Sequence, residues 1–333
     1  MEKVNVAVLG ATGAVGRTMI RILQERRFPM RSLKLLASPH SAGKVIDLGA
    51  KTGIVEEFSP AALKDVDLVF GAVDNDLAKE YAPLIRRSGA LFVDNSSAFR
   101  LEEDVPLVIP EINARDIRWH HGIVANPNCA TILAMMALSP ILKLTRVKRM
   151  IVSTYQAVSG AGMKGMDELE RQIRDPSAAP EVFPFRSAFN VIPQIGDFDE
   201  NGISAEEWKM QNEGRRILHD EALQVSCTCV RVPVYRCHSE SIYVETETEV
   251  SLDAIRQAAE ECPGLVLNEA PYPTPKECTD SDAVVIGRLR RDGACKQGLH
   301  LWCCCDQLRK GAATNAVQIG EWAWQNGLLK KGV

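Results

Sequence analysis

Cys129 stands in Asn126-Pro127-Asn128-Cys129-Ala130-Thr131, where a turn gives way to a helix. Asn-Pro starts a turn, because proline disfavours the α region for the residue before it. Asn128 is a good N-cap, and the apolar run Ala130 to Leu138 predicts a buried helix. Cys129 then falls in the first helical turn, where unpaired backbone N–H groups and the positive dipole end favour a thiolate. A free thiol has a pKa of about 8.5 and is little ionised at neutral pH, so this placement suits a nucleophile. Read alone, the motif fits a small buried hydrophobe equally well, since most free cysteines are packing residues.

A nucleophilic thiol needs a proton partner. Among six histidines, His238 has the most polar company, in Arg231-Val232-Pro233-Val234-Tyr235-Arg236-Cys237-His238-Ser239. Arginine's planar fork suits bidentate binding of a carboxylate or phosphate. His40, His120, His121, His219 and His300 read as loop or helix residues without such neighbours. A lone histidine is more often structural than catalytic, so this reading too has a bland alternative.

The elements that must position these residues begin at the first strand. Val4 to Leu9 leads into Gly10-Ala11-Thr12-Gly13-Ala14-Val15-Gly16, and Arg17 to Glu25 has helical spacing. Strand, glycine turn and helix are the context of a dinucleotide fingerprint, in which backbone approaches pyrophosphate at a helix N-terminus. The spacing is G-x-x-G-x-x-G, and glycine turns of this kind also arise for packing. The second strand, Leu33 to Leu36, ends without the Asp or Glu that would bind a ribose 2′-hydroxyl. Ser38, His40, Ser41 and Lys44 are instead donors for a 2′-phosphate, so the loop predicts NADP.

Further βα units follow at 66–70, 76–85 and 90–94. Ligands of open α/β sheets bind beyond the strands' carboxyl ends, which makes Asn95 and Arg100 candidates. For Arg100 a solvated surface position is the ordinary alternative. The second half is rich in strands: 147–156, 225–238 and 241–250. A helix over 205–218 carries Glu206, Lys209, Glu213 and Arg216 at spacings that fit an exposed face of ordinary ion pairs. Residues 176–194 are irregular and proline-rich, and 313–324 form a last helix.

The 333 residues favour two domains. A net charge of -4 speaks against nucleic acid as a partner. No apolar run reaches the roughly 18 residues that a membrane span needs, and the first residues enter a strand without a signal-peptide layout. A cytoplasmic location is expected. The ten cysteines lack a disulfide or zinc spacing, so reduced thiols and no metal are expected.

Together, the Gly10–Gly16 loop, Asn126 to Thr131, Tyr155 to Gly160, Glu206-Glu-Trp-Lys-Met210, Arg231 through Ser239, and Leu308 to Asn315 resemble the aspartate-semialdehyde dehydrogenase family. The resemblance runs from the first strand to the last helix. It implies a Rossmann-like NADP-binding domain (1–128 with 313–333) and an α+β catalytic and dimerisation domain with a mixed sheet (129–312). It implies a homodimer that reduces L-aspartyl-4-phosphate to the semialdehyde and phosphate. Cys129 would form a thioester, His238 would be the general acid/base, and Gln156 would position the substrate. Arg231 would hold the substrate carboxylate and Glu206 its ammonium group. Arg100, Asn128 and Lys209 would hold phosphate. Gly10, Thr12, Gly13, Ala14, Val15, Ser38, His40, Ser41, Asn95, Ser159, Gly160 and Asn315 would bind the cofactor, with the Lys310-Gly311 turn near the nicotinamide.

Three departures from the family pattern stand out. Asp74 and Asp76 bring negative charge to the loop where cofactor phosphates should pass. His40 replaces a common arginine, and Cys303-Cys304-Cys305 replaces a strand usually richer in valine and serine. The rival enzyme is an N-acetyl-glutamyl-phosphate reductase, which has no ammonium group for Glu206 to bind. The rival class is a non-catalytic relative, against which the retention of both Cys129 and His238 argues.

Overall fold

The computed structural model describes residues 2–49 and 52–329. It divides into two compact units, Met1–Pro127 with Ala312–Val333, and Asn128–Gly311.

The first unit contains β1 (Val4–Leu9), α1 (Ala14–Glu25), β2 (Met30–Ala37), β3 (Val45–Asp47), β4 (Thr52–Glu57), β5 (Leu68–Gly71), α2 (Asn75–Arg87), β6 (Leu91–Asp94), α3 (Pro110–Asn113) and β7 (Ile123–Ala125). Its sheet runs β3-β4-β2-β1-β5-β6-β7, parallel except where β3 meets β4. β5 and β6 are buried along their whole length, as strands covered on both faces must be. β1 lies between β2 and β5, so the strand order reverses at its carboxyl end. That is where an open α/β sheet leaves a crevice, and the glycine loop starts there.

The second unit contains α4 (Cys129–Leu142), β8 (Val147–Gln156), α5 (Gly162–Arg174), α6 (Ala205–Leu218), β9 (Gln224–Arg231), β10 (His238–Thr246), α7 (Leu252–Glu260), β11 (Leu265–Leu267), α8 (Pro275–Cys278), β12 (Val284–Arg291) and β13 (Gly298–Cys305). The chain then returns to the first unit as α9 (Thr314–Gln325). The second sheet is mixed, in the order β11-β12-β13-β10-β8-β9. β8 pairs in parallel with β9, whereas β10 is antiparallel to both β8 and β13. A parallel-rich sheet beside a separate mixed sheet is the expected fold class.

α4 is apolar almost all round and is buried nearly throughout. It packs on β8, β10, β12 and β13 and also against α6 and α7. A helix apolar on every face finds its place only between other elements.

Several local expectations need correction. The run 225–238 is not one strand. β9 stops at Arg231, Val232 to Cys237 form a turn, and His238 opens β10. Cys237 in that turn has φ 73°, a left-handed conformation that an extended strand cannot hold. His300 lies on β13, with its ring 3.1 Å from Asp292, rather than in a loop or helix.

Candidate active site

The glycine loop divides its work. Gly10 has φ 82°, and a Cβ there would run into the Ala72 carbonyl oxygen; one at Gly16 would run into that of Gly10. Both are glycines for packing. Gly13 has nothing closer than 3.5 Å to a built Cβ and is exposed as the N-cap of α1. It is the glycine that leaves room for a ligand at the helix N-terminus. Gly10, Thr12, Gly13, Ala37, Ser38 and Ala72–Asp74 line a cleft of about 300 Å³. Ser38 lines it and is exposed, and His40, two residues on, is exposed without lining it. Ser41 is buried, receiving Thr12 Oγ1 at 3.5 Å and Lys44 Nζ at 3.3 Å. Asp74 caps α2 by accepting the Leu77 N–H at 3.0 Å, which accounts structurally for one of the two loop acids.

Asn126 joins the polar candidates of this unit. Its side chain donates to Asn95 Oδ1 at 3.1 Å and accepts from Asn315 Nδ2 at 2.7 Å. Its carbonyl accepts from Arg100 Nε at 3.0 Å. Arg100 also donates to the Asn95 carbonyl and is buried, so the surface reading of this arginine does not hold. Asn315 is fully buried and also donates to the Val108 carbonyl. The network stiffens the turn that precedes the cysteine.

In the second unit, Cys129 opens α4 and is half-buried, whereas Asn126, Pro127, Asn128 and Ala130 around it are buried. Asn128 caps the helix, its Oδ1 accepting from Ala130 N at 2.9 Å and Thr131 N at 3.3 Å. A cap of this kind contributes about 1 kcal/mol. The Asn128 N–H donates to Glu213 Oε2 at 2.6 Å, and its Nδ2 donates to Glu206 Oε1 at 2.9 Å.

Strand register brings the remaining side chains together. Gln156 on β8 is opposite Arg231 on β9, and His238 on β10 is opposite Cys305 on β13. Gln156 donates to Glu206 Oε1 at 3.0 Å, and its Nε2 lies 3.4 Å from His238 Nε2. A Cβ on Gly160 would fall 2.8 Å from an Arg231 nitrogen and 3.6 Å from His238 Nε2. Gly160 is therefore a glycine because these two side chains need the space. Ser159, its neighbour, accepts a hydrogen bond from Gln307 and is buried. Gly311 lies against Cys129, where a Cβ would be 3.1 Å from that of the cysteine.

Burial alone would push the Glu206 carboxyl up. Lys209, 3.0 Å away, together with the Asn128 and Gln156 amides, overrides this and holds it at about 2. His238 is fully buried; desolvation, then the Arg231 charge, hold it down at about 3 against the pull of Glu206. Its Nδ1 accepts the Ala157 N–H at 3.0 Å, so the neutral ring carries its proton on Nε2. Arg231 donates to the Ala157 carbonyl at 2.6 Å, while its Nε is buried without a partner. Such an orphaned donor on a buried guanidinium is what an incoming anion could satisfy.

Three groups escaped the sequence reading. Glu213 and Glu206 are buried, so the exposed-face reading of α6 is wrong for this stripe. The signal was there: Glu206, Met210, Glu213 and Ile217 share one helical stripe, and two of them are apolar. Thr154 donates to Gln156 Oε1 at 3.0 Å and holds that amide in place. Glu240 is buried one pleat from His238, its carboxyl pushed well up by desolvation, with Cys303 Sγ 3.7 Å away. Among the described residues, no group of three or more His, Cys, Asp or Glu side chains is placed to hold a metal ion.

Two family descriptions match the chain: semialdehyde dehydrogenase, NAD binding domain, over residues 5–120, and semialdehyde dehydrogenase, dimerisation domain, over residues 138–310. The aspartate-semialdehyde dehydrogenase of Aquifex aeolicus (strain VF5) is 44% identical over 336 residues, covering 97% of this chain and 99% of its own. That of Bacillus subtilis (strain 168) is 42% identical, covering 95% and 96%. The crystal structure of aspartate semialdehyde dehydrogenase II from Vibrio cholerae, complexed with ASA, superposes with a TM-score of 0.95 at 40% identity, covering 98% of this chain and 99% of that one. With both domains matched and relatives aligned over nearly its whole length, the chain belongs to the aspartate-semialdehyde dehydrogenase family of oxidoreductases.

Proposed function

We propose that this enzyme reduces L-aspartyl-4-phosphate to L-aspartate-4-semialdehyde and phosphate through a thioester on Cys129, with NADP as its cofactor. The observation that carries the reading is the linked set Asn128–Glu206–Gln156–His238 beside Arg231, in the unit whose helix begins at Cys129. It offers a nucleophile, a neutral hydrogen-bond donor, a carboxylate and a guanidinium with an unsatisfied Nε to one small amino acid derivative.

The thiolate of Cys129 attacks the acyl carbon, the carbon–oxygen bond to phosphate breaks, and a thioester forms. Gly10, Gly13 and the loop 72–74 shape the cleft that would hold NADPH, with Ser38 and His40 as donors for its 2′-phosphate; bound there, the cofactor would supply the hydride for that carbon. The Nε2–H of His238 donates a hydrogen bond to the acyl oxygen as negative charge develops there, and the ring keeps its proton. Hydride addition leaves a tetrahedral alkoxide; its collapse breaks the carbon–sulfur bond, restores the thiolate and releases the aldehyde. With Nδ1 accepting from Ala157, the neutral ring fits hydrogen-bond donation at Nε2; proton transfer in the expected acid/base role would need a proton on Nδ1 and the loss of that bond.

Arg231 binds the substrate carboxylate and Glu206 its ammonium group. Asn128 and Lys209, already on Glu206 and the helix cap, hold these anchors and offer further donors to phosphate, a role that the family resemblance also gives to Arg100. Asn95 and Asn315 act on the cofactor side by fixing Asn126. The enzyme works as a homodimer through the second sheet, whose outer face exposes Ile151 and Tyr155, with Trp302 beside Tyr155. Ten free cysteines, one of them the nucleophile, suit the reducing conditions of a cytoplasm.

The test is phosphate-dependent reduction of NADP by aspartate semialdehyde. Cys129→Ser should lower kcat by ~10⁴-fold or more; full turnover would remove the nucleophile. A higher kcat/KM with NAD would overturn the cofactor choice. Faster turnover of N-acetyl-glutamate semialdehyde would overturn the substrate.

A further inference from the structure

The first unit holds a cavity of about 680 Å³ that shares no lining residue with the cofactor cleft. Its volume is in the range of small-molecule sites, roughly 300–1,000 Å³. Helix α2 separates the two. Leu77 and Tyr81 face the cofactor cleft, whereas Lys79, Ala82, Pro83 and Arg86 face the cavity at the i, i+3, i+4, i+7 spacing of one helical stripe. Leu91, Phe99, Ile123 and Leu329 complete an apolar wall.

The polar lining has one sign. Lys79, Arg86, Arg87 and His121 stand at the cavity, and no Asp or Glu lines it. Among the described residues, none of these four side chains makes a hydrogen bond or ion pair. Arg86 lies along Gly122, where a Cβ would be 3.2 Å from its Cγ. Arg86 and Arg87 also complement the negative end of α2, an ordinary reason for cations in a last turn. That reason does not extend to Lys79, two turns earlier, or to His121 on another segment. All four are exposed at the rim and solvated; in a chain of net charge -4, their gathering around one apolar hollow makes its mouth locally positive and suited to an anion.

We propose that this cavity is a second ligand site, taking a small molecule with an anionic head and an apolar body. The wall formed by α2, β6 and β7 holds the body, and Arg86 and Arg87 hold the head, with Lys79 and His121 raising the local positive potential.

The probe is 8-anilinonaphthalene-1-sulfonate, titrated by fluorescence into full-length enzyme saturated with NADP. Binding should be saturable, at one site per chain, and survive NADP. Arg86→Gln/Arg87→Gln, and separately Lys79→Gln, should weaken it, the double variant at least tenfold, with a cooperative melt retained and NADP affinity unchanged. The uncharged analogue N-phenyl-1-naphthylamine should bind at least tenfold more weakly. Displacement by NADP would place the probe in the cofactor cleft and overturn the proposal. Unaltered affinity in the double variant, or equal affinity for the uncharged amine, would overturn it as well.

Discussion

The glycine loop of the first unit and the strand row of the second are built from different material. The loop is backbone: Gly10 and Gly16 exist because a Cβ would meet a carbonyl oxygen, and Gly13 because space must stay open. The row is side chain: Arg231, Gln156 and His238 come from three strands and meet Glu206 from a helix. A backbone site tolerates almost any side chain whose Cβ fits. A side-chain site fails when a single donor is lost, because each buried partner is then left unsatisfied. Contiguous residues make the first, whereas pairing register makes the second.

The strongest break in this contrast is a methyl group in the loop. Gly10→Ala combines a left-handed φ with a backbone collision and should cost about 3 kcal/mol or more. A calorimetric melt should show a fall of roughly 6 °C or more. Gly13→Ala should melt within roughly 2 °C of wild type yet bind NADP more weakly. Equal destabilisation by the two would mean that the loop does not divide its work between packing and ligand.

In the row, Arg231→Lys keeps the charge and loses the fork. Substrate KM should rise ~10- to 100-fold with kcat little changed, since about 1.4–2.8 kcal/mol of charge-assisted hydrogen bonding is lost. A normal KM would remove the carboxylate role. Glu213→Gln tests whether a residue behind the site matters: the Asn128 N–H loses a charged acceptor, worth about 1–2 kcal/mol. The melt should fall, and kcat should drop about tenfold through the displaced Cys129 turn. An unaffected kcat would make Glu213 purely structural.

The last comparison is in pH. Held at about 3 when folded against 6.5, His238 leaves the unfolded chain binding the extra proton between those values. Stability therefore falls as pH drops below 6.5. Glu206, at about 2 against 4.5, acts in the same direction lower down, from 4.5 to 2. Glu240, pushed up by burial, opposes both: it keeps its proton when folded, so stability falls as pH rises past 4.5. His238→Asn should flatten the loss of melting temperature between pH 6.5 and 4.5, where Glu206 stays ionised. An unchanged slope would mean that the imidazole is not held neutral in the fold.

Much of this was legible along the chain because the signals are local. The N-cap Asn128, the turn before it and the apolar run after it lie within one short segment, and Cys129 opens α4 as that pattern predicts. The glycine loop likewise carries its own strand and helix. The misreadings fell where distant packing decided the outcome. Glu206 and Glu213 look like members of exposed ion pairs until Asn128, some 80 residues earlier, is bonded to both. Arg100 looks like a surface cation until Asn126 and Asn95 offer their carbonyls.

By itself, the sequence determined which segments are helices and strands, though not every boundary, which cysteine sits at a helix N-terminus, and which loop could approach a dinucleotide. Those depend on φ preferences, capping and periodicity over a few residues. Tertiary structure alone decided that His238 is neutral with its proton on Nε2, that Glu206 stays charged although buried, and that Gly160 must lack a side chain. Each of these depends on desolvation and on partners brought into register by strand pairing, and no local pattern encodes the distance to a partner.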